Sequence, residues 1–271
     1  MSEIVDTLSM YLYYVRNTVK AWFQYKLDAC LRSFAVFMRE AAGIIIIYLT
    51  LKSFKLLNGW NTAELFFLYS ILFLTYGILI IFFTGLRDFE FTVSKGDLDR
   101  ILLRPRGILF QVLSSNSDWF AAIGHGGLGI LLFVISANKI GIVWNFSTIA
   151  YYVAVIISGV LLQGAMFLII ASFSFYFIRT GNIRAFFYYN GRNFAGYPIS
   201  IYPKLIRILL IYVVPFAFVN YFPVQYLLRK DDMSQFPVAF IYIAPFIGIV
   251  YYTIAYAFWR FSLKQYKSSG N

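Results

Sequence analysis

From Ala63 to Leu86 the chain carries a single charged residue, Glu64, in an otherwise apolar run long enough to cross a bilayer. The run ends abruptly at Arg87–Arg106, RDFEFTVSKGDLDRILLRPR, the longest strongly charged stretch in the sequence, and Trp119–Ala137 is then long enough to cross back. A chain with this alternation has too much apolar surface to hide from water in one soluble core. Composition agrees: 61% of residues are hydrophobic and 13% charged, with a mean hydropathy of +0.72, whereas soluble domains are roughly 25% charged. The reading is an all-α polytopic membrane protein built as a single transmembrane domain.

Within the charged stretch, Gly96 and Asp97 supply a break and an N-cap, since an Asp side chain accepts from the free N–H groups of a first helical turn. Leu98, Ile101 and Leu102 fall at i, i+3 and i+4, which gives a short helix one apolar stripe. Asp99, Arg100 and Arg104 take the other faces, and Pro105 stops the helix. Such a helix either lies at the lipid interface with its arginines among headgroups, or docks a protein partner.

The remaining segments follow in order. Residues 1–32 place Tyr11, Val15, Val19, Trp22 and Phe23 at helical spacing among basic residues, which predicts an amphipathic interfacial helix. The first span, residues 33–51, holds Arg39 and Glu40, and charge at mid-bilayer costs roughly 2.5–3.5 kcal/mol on insertion scales. The pair is therefore either a structural ion pair or part of a substrate route. Glu64 at the edge of the second span is expected to be solvated. A charged loop over 87–118 leads to the third span, where Gly124–Gly129, GHGGLG, predicts close helix packing or a kink. It contains His125, for which a satisfied intramembrane hydrogen bond and proton handling are the two readings. The fourth span covers 147–178. For the fifth crossing, residues 208–228 and residues 182–197 compete. The first is split by Pro215 and Pro223; the second carries Arg192 and turns 198–228 into a re-entrant hairpin. The last span covers 236–261 and the tail 263–271.

A net charge of +11 fits basic loops on one side of a membrane better than a nucleic-acid surface. One cysteine, Cys30, and one histidine exclude an intramolecular disulfide and a multi-histidine metal site; Cys30 is expected as a small buried filler. No GxxxxGK[ST] loop occurs, so no nucleotide is held that way, and no catalytic set surrounds the lone histidine.

The pattern FEFTVSKGDLDRILLRP resembles the loop after the second span of permease subunits in the ABC type-2 exporter superfamily. It is most similar to the branch of ~260-residue six-span permeases. That loop reads roughly G-x-L/F-D-x-x-L-x-R-P, matched here by Gly96, Leu98, Asp99, Leu102, Arg104 and Pro105. A second similar block runs from Tyr197 to Leu228, and the resemblance covers nearly the whole chain. It implies six spans, a coupling helix on the cytoplasmic side, the re-entrant hairpin before the last span, and both termini in the cytoplasm of a prokaryotic cell. It also implies ABC ATPase subunits as partners, with ATP and Mg bound there and no cofactor on this chain. A second permease, identical or a sister chain, would complete the pathway among membrane lipids. The implied ATPase-coupling residues are Asp88, Glu90, Gly96, Asp97, Leu98, Asp99, Arg100, Ile101, Leu102, Arg104 and Pro105. Arg39, Glu40, His125 and Arg192 are the candidate pathway or intramembrane polar residues. An ion-gradient-driven secondary transporter would need intramembrane carboxylates, of which only Glu40 qualifies; a non-transporting scaffold would need the docking loop but no pathway.

Overall fold

The computed structural model describes residues 26–54, 57–177, 179–230 and 236–266, with residues 9, 10, 13, 16 and 20 ahead of them. The expected interfacial helix over 1–32 lies largely outside the described residues, as does the end of the tail. What is described is helical, with one isolated two-residue bridge, Leu57 to Trp60, closing a turn through Asn58 and Gly59.

The elements run α1 (Lys26–Phe54), α2 (Thr62–Phe82), α3 (Thr84–Arg87), α4 (Phe89–Ser94), α5 (Asp97–Leu102), α6 (Ile108–Ser115), α7 (Trp119–Ile140) and α8 (Phe146–Phe173). There follow an α–π–α run over 181–195 (α9), α10 (Lys204–Val213), α11 (Phe216–Leu228) and α12 (Ala239–Leu263). Four of them, α2, α7, α8 and α12, are long and apolar enough to cross a membrane. Helix α1 is as long, but Arg32, Arg39 and Glu40 lower its hydropathy. It runs unbroken from Lys26 to Phe54, so the interfacial and first-span segments expected to divide near residue 32 are one helix there.

Side-chain caps set where three of the long helices start. The Asn61 side chain accepts from the Glu64 N–H while Glu64 reaches back to the Asn61 N–H, a reciprocal pair that opens α2. Asp118 accepts from Ala121 N–H at the start of α7, and Asn145 from Thr148 N–H at the start of α8.

The bundle is organised by two close helix pairs, α2 against α7 and α8 against α12, joined where α2 meets α8. Lipid offers no hydrophobic incentive for helices to associate, so small residues must let backbones approach. A Cβ on Gly77 would lie 3.0 Å from the Gly126 nitrogen, and one on Gly129 2.9 Å from the Leu74 nitrogen. The GHGGLG run is thus a packing surface, as its composition suggests. On the other pair, a Cβ on Gly248 would lie 2.1 Å from the Ser158 carbonyl oxygen.

Pro245 interrupts α12 and leaves the Ile241 carbonyl without its usual donor. The Tyr151 hydroxyl supplies one at 2.7 Å. One turn on, Ser158 Oγ donates to the Ala244 carbonyl (2.7 Å) and accepts from Gly248 N–H (3.0 Å). Helix α8 therefore repairs the break in α12. Tyr151→Phe and Ser158→Ala are each expected to lower stability by about 0.5–1.5 kcal/mol, measured as thermal unfolding of the purified protein. Unchanged unfolding in both would mean that α12 satisfies its own backbone.

The polypeptide changes ends between residues 184 and 200. Arg184 bonds to Glu90 and to the Arg87 carbonyl, at the end of the bundle carrying residues 84–118, here the loop end. Ser200 accepts from Asn58 at the opposite end (3.3 Å). Helices α10 and α11 then bend by 74°. Lys230, just past α11, is back at the opposite end, bonded to the Gly59 carbonyl (2.7 Å) and paired with Glu64 (2.9 Å). Glu64 is consequently a paired capping residue, not the solvated carboxylate its position suggests. The first turn of α11 after the bend, Phe216–Phe218, is buried, and the Phe216 ring lies 5.5 Å from Tyr188 inside the bundle.

Candidate functional site

Two sets of residues carry chemistry. The first is the loop-end platform. Phe89 is fully buried, with its ring 5.0 Å from Trp259 and 5.6 Å from Phe175, and this anchors α4 to α12 and to the turn after α8. Beside it, the Glu90 carboxylate is nearly enclosed. It accepts from Thr180 N–H (2.7 Å), Thr180 Oγ1 (3.1 Å) and Arg184 Nη2 (3.2 Å). Asp88 pairs with its neighbour Arg87 at 2.8 Å.

Helix α5 stands on this base. Leu98 is fully buried and faces inward. Asp99 accepts from the Tyr266 hydroxyl at 3.0 Å, and burial together with this bond holds the Tyr266 phenol above its ordinary value, so that it stays a donor. Gln111 Nε2 donates to the carbonyls of Ile101 (3.1 Å) and Arg106 (2.8 Å), tying off the far end of the helix. What α5 and the following turn present outward is Asp97, Arg100, Leu102, Leu103, Arg104, Pro105 and Arg106.

Two expectations need correcting. Asp97 is not the cap: Gly96, at φ +75°, takes that position, and Asp97 sits in the first turn without a capping hydrogen bond, 3.7 Å from Arg100. A left-handed cap residue favours glycine, and it moves Asp97 one place into the helix. Leu98, Ile101 and Leu102 also do not share one docking face. Leu98 packs into the protein's own core, Ile101 is half-buried, and Leu102 is 43% and Leu103 86% exposed. The reason is that the stripe straddles the edge of the platform.

The second set gathers all four intramembrane candidates: Glu40, His125 and Arg192 lie within the bundle, and Arg39 reaches Glu40 from an exposed position. Glu40 accepts from Arg39 Nη2 (2.8 Å), and its oxygens stand 3.9 Å from His125 Nδ1 and 3.8 Å from Arg192 Nη2. Tyr76 joins them: its ring takes the His125 ring edge-on at 4.6 Å and the Arg192 guanidinium over its face at 4.1 Å. Toward the loop end, Arg32 pairs with Asp118 at 2.6 Å. His125 Nδ1 and Arg192 Nε and Nη2 are buried without a hydrogen-bond partner among the described residues, so the expected satisfied hydrogen bond at that His125 nitrogen is absent. Cys30 is exposed on α1 and is not a core filler.

Sequence reasoning missed Tyr76 and Asp118, and Thr180 and Arg184 as the partners of Glu90. It also missed a polar chain through the bundle, in which Tyr188 OH donates to Gln163 Oε1 (2.8 Å) and Gln163 Nε2 to Thr75 Oγ1 (2.9 Å). Gln163 was the available signal, a strongly polar residue within an otherwise apolar span. Among the described residues no group of three or more metal-ligating side chains occurs.

A family model described as an ABC-2 family transporter protein matches residues 37–270. No curated protein and no solved structure matches the chain.

Proposed function

From the premise that this chain belongs to the ABC-2 family of transporter proteins, we propose that it is the permease subunit of an ATP-driven exporter. Two permeases, identical or sister chains, enclose the pathway, and separate ABC ATPase subunits bind at the loop end. ATP and Mg bind on those subunits. The single observation that carries this reading is the mounting of α5. Leu98, Asp99–Tyr266 and Gln111 tie it to the core, to the segment just after α12 and to α6, while Leu102, Leu103, Arg100 and Arg104 face outward for a partner. A lipid-interface helix needs its apolar side turned to lipid and no such bracing. Closure of an ATPase dimer moves a braced helix as a lever, and Glu90 passes the displacement to the turn that begins α9.

The decisive test is affinity purification in mild detergent. Co-elution of an ATPase with a phosphate-binding loop is expected; a permease that elutes alone and transports with an ion gradient would favour the secondary transporter, and one that elutes alone without transport the scaffold.

The six crossings in this reading are α1, α2, α7, α8, α9 and α12. Helix α9 rises only about 22 Å at ~1.5 Å per residue, but Arg184 and Ser200 bond at opposite ends of the bundle. Helices α10 and α11 form the re-entrant hairpin, because both flanks of the pair bond to residues 58–64. By sequence order, Arg32, Arg87, Lys95, Arg100, Arg104, Arg106, Arg179, Arg184, Arg260 and Lys264 fall at the loop end, against Lys52, Lys55, Lys139, Lys204, Arg207, Arg229 and Lys230 at the other. This excess supports a cytoplasmic loop end and cytoplasmic termini, in a prokaryotic cell by the family reading. In a Cys30→Ser background, cysteines at Ser200 and Lys204 are expected to react with an impermeant thiol reagent on intact cells. Labelling only after permeabilisation would reinstate residues 208–228 as a crossing.

A further inference from the structure

Two cavities meet inside the bundle. The first, of about 510 Å³, lies toward the loop end, and its lining includes Arg32, Arg39, Arg87, Arg192, Glu40 and Asp118, of which Arg32 and Arg39 are exposed. The second, of about 280 Å³, lies toward the opposite end against Ile44, Ile47, Leu72 and Phe73. Glu40, Arg192 and Asn193 belong to both walls, and the 3.8 Å approach of Glu40 to Arg192 stands between the two spaces.

The charges do not balance. Asp118 holds Arg32, Asp88 holds Arg87, and Glu40 is hydrogen-bonded to Arg39. Arg192 is left with Nε and Nη2 unbonded, its guanidinium over the Tyr76 ring and Glu40 too far for a hydrogen bond. A buried cation without a full partner in a low-dielectric setting is costly and marks a functional position. One further anion completes the set.

We propose that the two cavities form a single site for an amphiphilic anion. Its acidic head sits against Arg192 and Arg39 in the polar cavity, and its hydrocarbon portion lies in the apolar one. Glu40 is the competitor. While it faces Arg192 the two spaces are separated, and a head group that takes Arg192 displaces it and joins them. The size suits this: small-molecule sites occupy roughly 300–1,000 Å³. The proposal rests on the permease reading and names the class of molecule that route would carry.

The test uses the full-length protein in phosphatidylcholine nanodiscs, with fluorescent anthroyloxy-stearate as probe and its methyl ester as neutral control. Saturable binding of the acid is expected, with the ester at least about ten-fold weaker, as loss of a hydrogen bond to a charged group requires. Arg192→Gln should weaken acid binding by about ten-fold or more, Arg192→Lys by less, and Glu40→Gln should tighten it. Equal binding of acid and ester would overturn the proposal. So would unchanged binding by a monodisperse Arg192→Gln protein. If that variant does not fold, Glu40→Gln decides: tighter binding supports the site, and unchanged or weaker binding overturns it. Full displacement of the probe by inorganic phosphate would make this a site for a free anion and overturn the amphiphile. ATPase co-purification separates the two readings. Anion binding without an ATPase would leave the site and remove the permease assignment; an ATPase without anion binding would remove the site alone.

Discussion

Replacing Leu102 and Leu103 together by Asp is expected to abolish ATPase co-purification while leaving the permease monodisperse in gel filtration. Both side chains are exposed, so the protein's own core loses little. Each apolar side chain buried in a partner is worth ~1.5–3 kcal/mol, so losing both removes roughly 3–6 kcal/mol, two to four orders of magnitude in affinity. Leu98→Ala is the contrasting control. That side chain is fully buried in the permease, and its truncation should cost ~2–5 kcal/mol of folded stability, which confounds any binding measurement. Asp97→Ala should be almost silent, because Gly96 holds the cap position and the Asp97–Arg100 pair is solvated. Arg104→Glu should weaken association and be partly restored by excess ATPase, as a binding defect must be. If the double Asp variant keeps its full complement of ATPase and coupled hydrolysis, α5 is only a surface helix and the coupling assignment fails.

Glu90→Ala is expected to be the most damaging single change at the loop end. It removes the one carboxylate bonded to Arg184 and to both donors of Thr180, all three residues being buried or nearly so. Breaking a buried pair by deleting one partner costs about 3–5 kcal/mol, because the surviving charge is uncompensated. Thermal unfolding should show that loss, and Arg184→Ala added to Glu90→Ala should recover part of it. Glu90→Gln, which keeps the shape and loses the charge, should fall between. A Glu90→Ala protein that unfolds at the wild-type temperature would show that the cluster does not hold the loop end together.

The same cluster shows what the sequence left open. Glu90 stands in the charged loop and was legible as a polar residue of a docking segment. Its partners Thr180 and Arg184 lie about ninety positions away, and no local pattern pairs them. The intramembrane site was half legible. Arg39, Glu40, His125 and Arg192 each stood out as an ionisable group in an apolar run, but nothing in their spacing said that one Tyr76 ring would sit between two of them.

By itself the sequence determined the helices α2, α7, α8 and α12, the charged segment dividing α2 from α7, and the use of GHGGLG as a packing surface. These follow from local hydropathy and residue size, which a bilayer selects along one dimension. Tertiary structure decided which side of α5 faces inward, that Gly96 rather than Asp97 takes its cap position, and that the chain bends by 74° between α10 and α11. It also decided that α1, α7 and α9 bring Arg39, Glu40, His125 and Arg192 to one cavity, beside Tyr76 of α2. The physical reason is rotational. A span apolar all round carries almost no amphipathic signal to fix its orientation about its own axis. That angle, and with it every contact between distant polar residues, is set only when helices pack.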